Sequence, residues 1–405
     1  MSVFLLVTLD TKGAEAEFVR QRLMAHGVET VLVDTGCLGE PRARPDVPRS
    51  EVFAAAGTSL EALQGRQDRG EAIAAASRGA ACLAAAWHAE GRLTGVLGLG
   101  GSAGTAIATA AMRALPLGVP KLMVSTLASG QVRHYVADKD ILMLNAVVDL
   151  AGLNRISRLV LDTAARAMAG MVSLPRASPT QAERPLVAAT MFGVTTPCVE
   201  HARRLLEANG YEVLVFHATG NGGQAMESLI AEGLIAGVLD ITTTELADEL
   251  VGGVLSAGPE RLMAAGRKGV PQVISVGALD MVNFHAPETI PDRFAGRRFY
   301  RHNPHVTLMR TTVEENAALG AEIGRKAAQA RGPTAILLPK RGVSAIDREG
   351  QPFDDPAARE ALFEAITANA APAEVIALDM HINDAAFAEA AANKLLALMA
   401  ATSRT

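Results

Sequence analysis

The sequence predicts an α/β protein built as two domains of mostly parallel sheet, and three observations predict it. Short apolar runs alternate with charged stretches that end in glycine, the alternation that layered α/β domains produce. A proline-rich break divides the chain near its middle, and the same pattern restarts after it. The length of 405 residues suits two or three domains of roughly 100–200 residues each.

The first predicted strand is Val3–Leu9, a continuous apolar run of the kind buried on both faces of a parallel sheet. Asp10–Gly13 predicts a turn. Ala14–His26, with Phe18, Leu23 and Met24 among charges, predicts a helix closed by Gly27, since glycine tolerates the left-handed conformation that ends helices. A strand begins at Val31–Val33, and Gly95–Leu99 and Leu122–Val124 predict two more, separated by a helical stretch at Gly104–Leu115. The break is Ser173–Pro185, where prolines and small polar residues mark an exposed linker. It sets domains at 1–175 and 185–405, joined by 176–184.

Beyond it come strand Leu186–Met191, helix Cys198–Asn209, Gly210 and strand Glu212–Phe216. Further strands are predicted at Gly237–Ile241, Gln272–Val276, Ala335–Leu338 and Val375–Leu378, with a closing helix at Asp384–Ala400. Gly27–Val33 and Gly210–Phe216 match at one offset, as a duplicated unit or shared α/β grammar would make them do.

Composition narrows the function. A net charge of −5 with 4% aromatic residues argues against a nucleic-acid backbone as main partner, which needs a basic stripe. Leu93–Met112 is twenty residues without a charge, but its Gly98–Ser102 kernel does not suit a membrane-spanning helix. No signal peptide is expected at Met1–Asp10 because the basic n-region is missing. Cys37, Cys82 and Cys198 are widely spaced and imply neither a disulfide framework nor a zinc ribbon. A reducing cytoplasm is the expected compartment.

Chemistry is expected at the strand ends. Gly98–Ala106, between a strand and a helix, contains Gly100, Gly101, Ser102, Gly104 and Thr105. Glycines admit close backbone approach, and the helix N-terminus offers unsatisfied N–H groups to a phosphate. The alternative is a tight strand–helix turn. The stretch matches neither the P-loop nor G-x-G-x-x-G spacing. Thr11 and Lys12 sit at the carboxyl end of the first strand, and Ser129 and Gly130 follow the strand after the glycine stretch. Open α/β sheets bind ligands at that edge.

In the second domain, Thr195 and Thr196 end the first strand, and Thr219, Gly220, Gly222 and Gly223 follow the second. Thr243, Thr244 and Glu245 end another, and Asp280 a further one. Glu245, Asp280 and His217 are the acid–base candidates. No residue is predicted to ligate a resident metal: the His302–His305 pair lacks a third ligand nearby in sequence and reads as a turn.

These motifs together resemble a known but uncharacterised family. In the first half the resemblance rests on Gly98-Leu-Gly-Gly-Ser-x-Gly-Thr105, Leu115-Pro-x-Gly-Val-Pro-Lys121 and Ser125-Thr-x-Ala-Ser-Gly130. In the second it rests on Thr190–Cys198, His217–Gly220, Val238–Glu245 and Ser275–Phe284. The family includes the N-terminal ATP-binding domain of the tomato mosaic virus resistance protein. The resemblance implies two Rossmann-like domains, ATP bound with magnesium, and a propensity to dimerise, so a homo-oligomer is expected; the two domains are expected to face an interdomain cleft. Ala103 departs from the expected glycine, and His285 stands where no histidine is expected.

The expected function is that of an ATP-binding enzyme, using the nucleotide or another phosphorylated compound on a small metabolite. In that reading Lys12 and the glycine stretch hold phosphates, and Glu245, Asp280 or His217 supplies acid–base or metal chemistry from the other domain. The alternatives are a non-catalytic protein whose assembly or binding ATP regulates, and a nucleotide-sugar transferase.

Overall fold

The computed structural model describes residues 2–64, 68–175 and 183–402. The chain divides into two compact units, Met1–Ser178 and Pro179–Thr405. Of the predicted linker, residues 176–182 lie outside the described residues.

Unit 1 runs β1 (Ser2–Val7), α1 (Leu9–Ala25), β2 (Thr30–Asp34), α2 (Arg49–Ala55), α3 (Leu60–Gln64) and α4 (Arg69–Ala89). It continues with β3 (Leu93–Gly100), α5 (Ser102–Arg113), β4 (Lys121–Ser125), α6 (Arg133–Val136), β5 (Leu142–Asn145) and α7 (Arg155–Ser173). The strands form one sheet in the order β2-β1-β3-β4-β5, every pair parallel. β1 shows how the apolar runs are used. Phe4 and Leu6 pack with residues of α4 and α5, whereas Val3, Leu5 and Val7 pack with residues of α1 and α7. Successive strand side chains point to opposite faces, so a continuous apolar run feeds two cores.

Two local expectations change. The stretch Asp10–Gly13, predicted as a turn, is taken into the start of α1, with a kink at Lys12 (φ −126°, ψ 31°). Helices α2 to α4 occupy a region where the sequence reading placed no element. α4 is built largely of alanine and glycine, so its buried face carries little apolar contrast. Small residues there let helices approach closely: a Cβ on Gly79 would lie 1.8 Å from the Val52 carbonyl oxygen of α2.

Unit 2 begins with β6 (Leu186–Met191), α8 (Thr196–Ala208), β7 (Glu212–His217), α9 (Asn221–Ala231), β8 (Ile235–Thr242), α10 (Glu245–Val251) and α11 (Ala264–Lys268). Then come β9 (Gln272–Gly277), β10 (Met281–Phe284), β11 (Phe299–Asn303), β12 (Val306–Arg310) and α12 (Val313–Ala328). β13 (Thr334–Pro339), α13 (Pro356–Asn369), β14 (Glu374–Leu378) and α14 (Ala385–Thr402) complete it. Its main sheet has the order β14-β13-β9-β8-β6-β7, again all parallel.

Counted from each unit's own first strand, both main sheets share the order 2-1-3-4-5, and unit 2 adds a sixth strand. Gly27 (φ 73°) and Gly210 (φ 89°) both take the left-handed conformation before the second strand of their unit. The repeated stretch noted in the sequence is therefore the same structural step in both. β10, β12 and β11 form a separate antiparallel sheet, and His302–His305 spans its hairpin turn. No described helix is long and apolar enough to cross a membrane.

Gly79→Ala should destabilise unit 1 by about 1–3 kcal/mol, the cost of overpacking a close contact, read as a lower thermal midpoint. Gly91→Asn is the control: Gly91 has positive φ but faces open space, and asparagine tolerates that conformation. It should cost less than about 1 kcal/mol.

Candidate functional site

In a sheet of order 2-1-3-4-5, the chain turns outward in opposite directions after strands one and three, leaving a crevice at their carboxyl ends. In unit 1 those ends belong to β1 and β3. A cavity of about 210 Å³ lies there, lined by Thr8–Lys12 except Leu9, by Cys37 and Leu38, by Arg69 and Ile73, and by Gly101–Gly104 and Ile107. Thr11, Lys12, Gly101, Ser102 and Gly104 are thus brought together.

The glycine stretch does two separate jobs. Gly98, Gly100 and Gly104 seat α5 on the sheet: a Cβ on Gly98 would lie 2.4 Å from Ala108 Cβ, and one on Gly100 would lie 2.7 Å from Gly104 Cα. Gly101 is the N-cap of α5, extended and without a side-chain cap. Thr105 N–H donates to the Gly101 carbonyl at 2.8 Å, while the amides of Ser102, Ala103 and Gly104 have no acceptor among the described residues. Unsatisfied N–H groups and the positive end of the helix dipole therefore open on the cavity.

Thr105 itself is buried, its hydroxyl 2.6 Å from that of Ser125, and it braces α5 against β4. Gly100 does not line the cavity either. Ser129 and Gly130 lie on an exposed turn after β4, away from its lining.

Lys12 donates through Nζ to the Leu150 carbonyl at 2.8 Å, which leaves two of its three donors. The Arg69 side chain makes no hydrogen bond or ion pair among the described residues. The wall formed by Cys37 and Leu38 depends on two carboxylates, Asp10 and Asp34, that no motif links. Asp10 accepts from the Leu38 and Gly39 amides at 2.9 and 3.3 Å. Asp34 accepts from the Leu9 and Gly36 amides and from Arg49 Nε. Burial, with Asp10 adding to it, pushes the Cys37 thiol up to about 11, so it is a protonated wall residue near neutral pH. A second hollow of about 240 Å³ adjoins this wall, sharing Cys37, Leu38 and Arg69 and adding Leu60, Leu63 and Ala72.

In unit 2 the strand ends look alike in sequence but are spent differently. Gly220 (φ 86°) and Gly223 direct their amides to an anion, and the anion is the protein's own Glu245: Oε1 accepts at 2.7 and 3.0 Å. A Cβ on Gly223 would lie 2.2 Å from Glu245 Oε2, and one on Gly222 would lie 1.8 Å from the His217 carbonyl. Glu245 is fully buried and its Oε2 accepts from Arg261 Nε at 2.7 Å. Arg261, itself enclosed, grips Asp240 with both terminal nitrogens at 2.6 and 2.7 Å and meets Glu227 at 3.3 Å. Burial raises Glu245 above the usual carboxylate range, opposed by Arg261 and the two glycine amides.

The threonines are similarly engaged. Thr195 and Thr242 share a hydroxyl contact of 2.8 Å, Thr243 donates to the Ser275 carbonyl, and Asn283 donates to Thr244. Thr195, Thr243 and Thr244 are buried. Thr196 is half-buried and donates to the Phe192 carbonyl, and Thr219 donates to that of His217.

Asp280 is buried, with Oδ2 accepting from Ser344 at 2.8 Å and Oδ1 without a partner. Burial, then the nearby Asp347, raises it to about 7. His217 is exposed at the end of the edge strand β7. Three strand spacings separate β7 from β9, about 14 Å, so the fold does not bring His217 to Asp280. No group of three or more metal-ligating side chains occurs among the described residues.

Comparison with known proteins places the whole chain. Residues 1–177 match the N-terminal domain, and residues 184–399 the C-terminal domain, of the uncharacterised protein family UPF0261. The chain belongs to this family. It is 49% identical over 399 residues to a UPF0261 protein of Clostridium tetani, covering 98% of each chain. It is 50% identical over 392 residues to one from Rhizobium meliloti, covering 96% of this chain and 97% of that protein. It is also 42% identical over 418 residues to the ToMV resistance protein Tm-1(GCR237) of Solanum lycopersicum, covering 97% of this chain but 55% of that longer protein. The family resemblance read from the motifs is thereby established, and with it the two-domain, Rossmann-like α/β architecture.

The buried carboxylates predict a pH dependence. Asp248, held by Asn283 and the Leu255 amide, is raised by burial from 3.8 to about 7, and Asp280 from 3.8 to about 7. Their folded-state values exceed the unfolded ones, so the unfolded chain sheds these protons first. Their contribution is full below about pH 4 and is lost as pH rises through about 7. Denaturation of Asp248→Asn should therefore show a shallower loss of unit 2 stability between about pH 4 and about pH 7 than the unaltered chain.

Proposed function

We propose that unit 1 binds ATP with magnesium in the β1/β3 cavity, and that the protein is an enzyme using this nucleotide, or another phosphorylated compound, on a small metabolite. The observation that carries this reading is the uncapped N-terminus of α5, whose Ser102, Ala103 and Gly104 amides open on the cavity. A phosphate satisfies such amides and is favoured by the helix dipole. Lys12 and Arg69, both lining the cavity, add the charge that a triphosphate needs, and Gly101 leaves the approach unobstructed, its nearest neighbour to a Cβ being 3.6 Å away.

The residues present fit a magnesium nucleotide. Magnesium is commonly held by phosphate oxygens and water with few protein ligands, and Thr11 and Ser102 supply hydroxyl oxygens at the cavity. The adjoining hollow with Leu38, Leu60, Leu63 and Ala72 offers an aliphatic seat for the base. A second reading, in which ATP regulates a binding protein, draws support from the enclosure of Glu245 and Asp280.

Ser102→Glu tests the site. A carboxylate in the first turn suits the helix dipole, so the fold should be retained, while its charge occupies the place proposed for phosphate. ATP affinity, measured calorimetrically with magnesium, should fall at least tenfold; unchanged affinity would overturn the assignment. A metabolite screen reading ADP, AMP or pyrophosphate release then separates the two readings, since only an enzyme releases product on addition of a particular metabolite.

A further inference from the structure

Unit 2 has an open basin of about 630 Å³ at the carboxyl ends of β13 and β14, lined by Lys340, Arg341, Arg348, Glu349, Arg359, His381 and Asp384. None of the residues so far placed in a candidate site lines it.

Arg359 is its distinguishing feature. It stands in the first turn of α13 and is only 8% exposed. Nη1 is anchored by Asp347 Oδ1 at 2.7 Å and Asp354 Oδ1 at 2.9 Å. Nε and Nη2 make no hydrogen bond among the described residues, and neither is among the sealed atoms lacking a partner. A guanidinium fixed at one end therefore presents its free Nε–Nη2 edge to the basin. That edge is the geometry that takes a carboxylate or phosphate with two parallel hydrogen bonds.

The surrounding groups fit the same occupant. Lys340 and Arg348 are exposed at the rim, and their side chains form no ion pair or hydrogen bond among the described residues, whereas Arg341 is paired with Asp379 at 2.7 Å. His381 is a fixed wall. Its Nδ1 accepts from the Asn383 amide at 3.1 Å, so Nε2 carries the proton and donates to the Ser344 carbonyl at 2.8 Å. Glu349 and Asp384 give the basin an acceptor side, Asp384 already receiving the His381 amide at 2.8 Å. An occupant with an oxyanion at one end and hydroxyl or amino donors at the other matches both sides.

We propose that this basin is a second ligand site, taking the phosphate or carboxylate group of a small polar metabolite on the Nε–Nη2 edge of Arg359, with Lys340 and Arg348 closing on it. The site is independent of the nucleotide reading of unit 1.

The test uses the full chain carrying Ser102→Glu, so that phosphate does not report on unit 1. Sodium phosphate is titrated in one calorimetric arm and sodium succinate in the other, at matched ionic strength. At least one anion should bind saturably with one site per chain, and the stronger arm names the group preferred. Adding Lys340→Glu with Arg348→Glu, both on the exposed rim, should weaken that binding at least tenfold. Arg359→Lys keeps the charge beside Asp347 but removes the two-donor edge, and should also weaken it about tenfold, with circular dichroism checking its fold. No saturable binding in either arm, or unaltered affinity in the rim double variant, would overturn the proposal.

Discussion

Parallel pairing brings the carboxyl ends of the strands to one edge of each main sheet, and the rest of the structure follows from that constraint. Both faces of each main sheet are covered by helices, so apolar runs such as β1 serve two cores. Polar residues are then left chiefly to the turns, and the turns collect along a single edge. Most of the glycine- and hydroxyl-rich stretches that follow strands lie on such an edge, because parallel order leaves them little other place to be.

What distinguishes the two units is how their helix N-termini are satisfied. In unit 1 the first amides of α5 face a cavity. In unit 2 the equivalent need at α9 is met internally by Glu245, which Arg261 balances from the other side. Burying Glu245, Asp240 and Arg261 together is costly in desolvation, and the arrangement persists because nearly every polar atom is paired. Removing Arg261 alone would leave carboxylates buried without compensation, so this cluster holds β8, α9 and α10 as one body.

Much of the scaffold was legible. Apolar runs bounded by glycine marked the central strands, and Gly27 and Gly210 marked the repeated step because backbone geometry there demands positive φ. α4 escaped notice since alanine on both faces leaves no periodic contrast, and its packing depends on a missing Cβ at Gly79 rather than on large side chains. The antiparallel β10–β12–β11 sheet escaped notice too, its edge strand β11 being polar and exposed. At the candidate site, Lys12, Gly101 and Ser102 were visible as donors beside glycine. Asp34, Arg49 and Arg69 were not, because they reach the site from the end of β2 and from two helices remote in sequence.

By itself the sequence determined the α/β class, the two-part organisation, the family and the places where backbone amides must gather, since these depend on local periodicity, glycine and contiguous motifs. Tertiary structure alone decided which of those amide clusters stays open. Gly101–Gly104 and Gly220–Gly223 read alike along the chain, but whether a carboxylate fills the cradle depends on a residue more than twenty positions away, as Glu245 is from Gly220. The same holds for Arg359, whose free edge exists only because Asp347 and Asp354 bind the opposite end. Local chemistry specifies a donor; only folding specifies whether the protein or a ligand accepts from it.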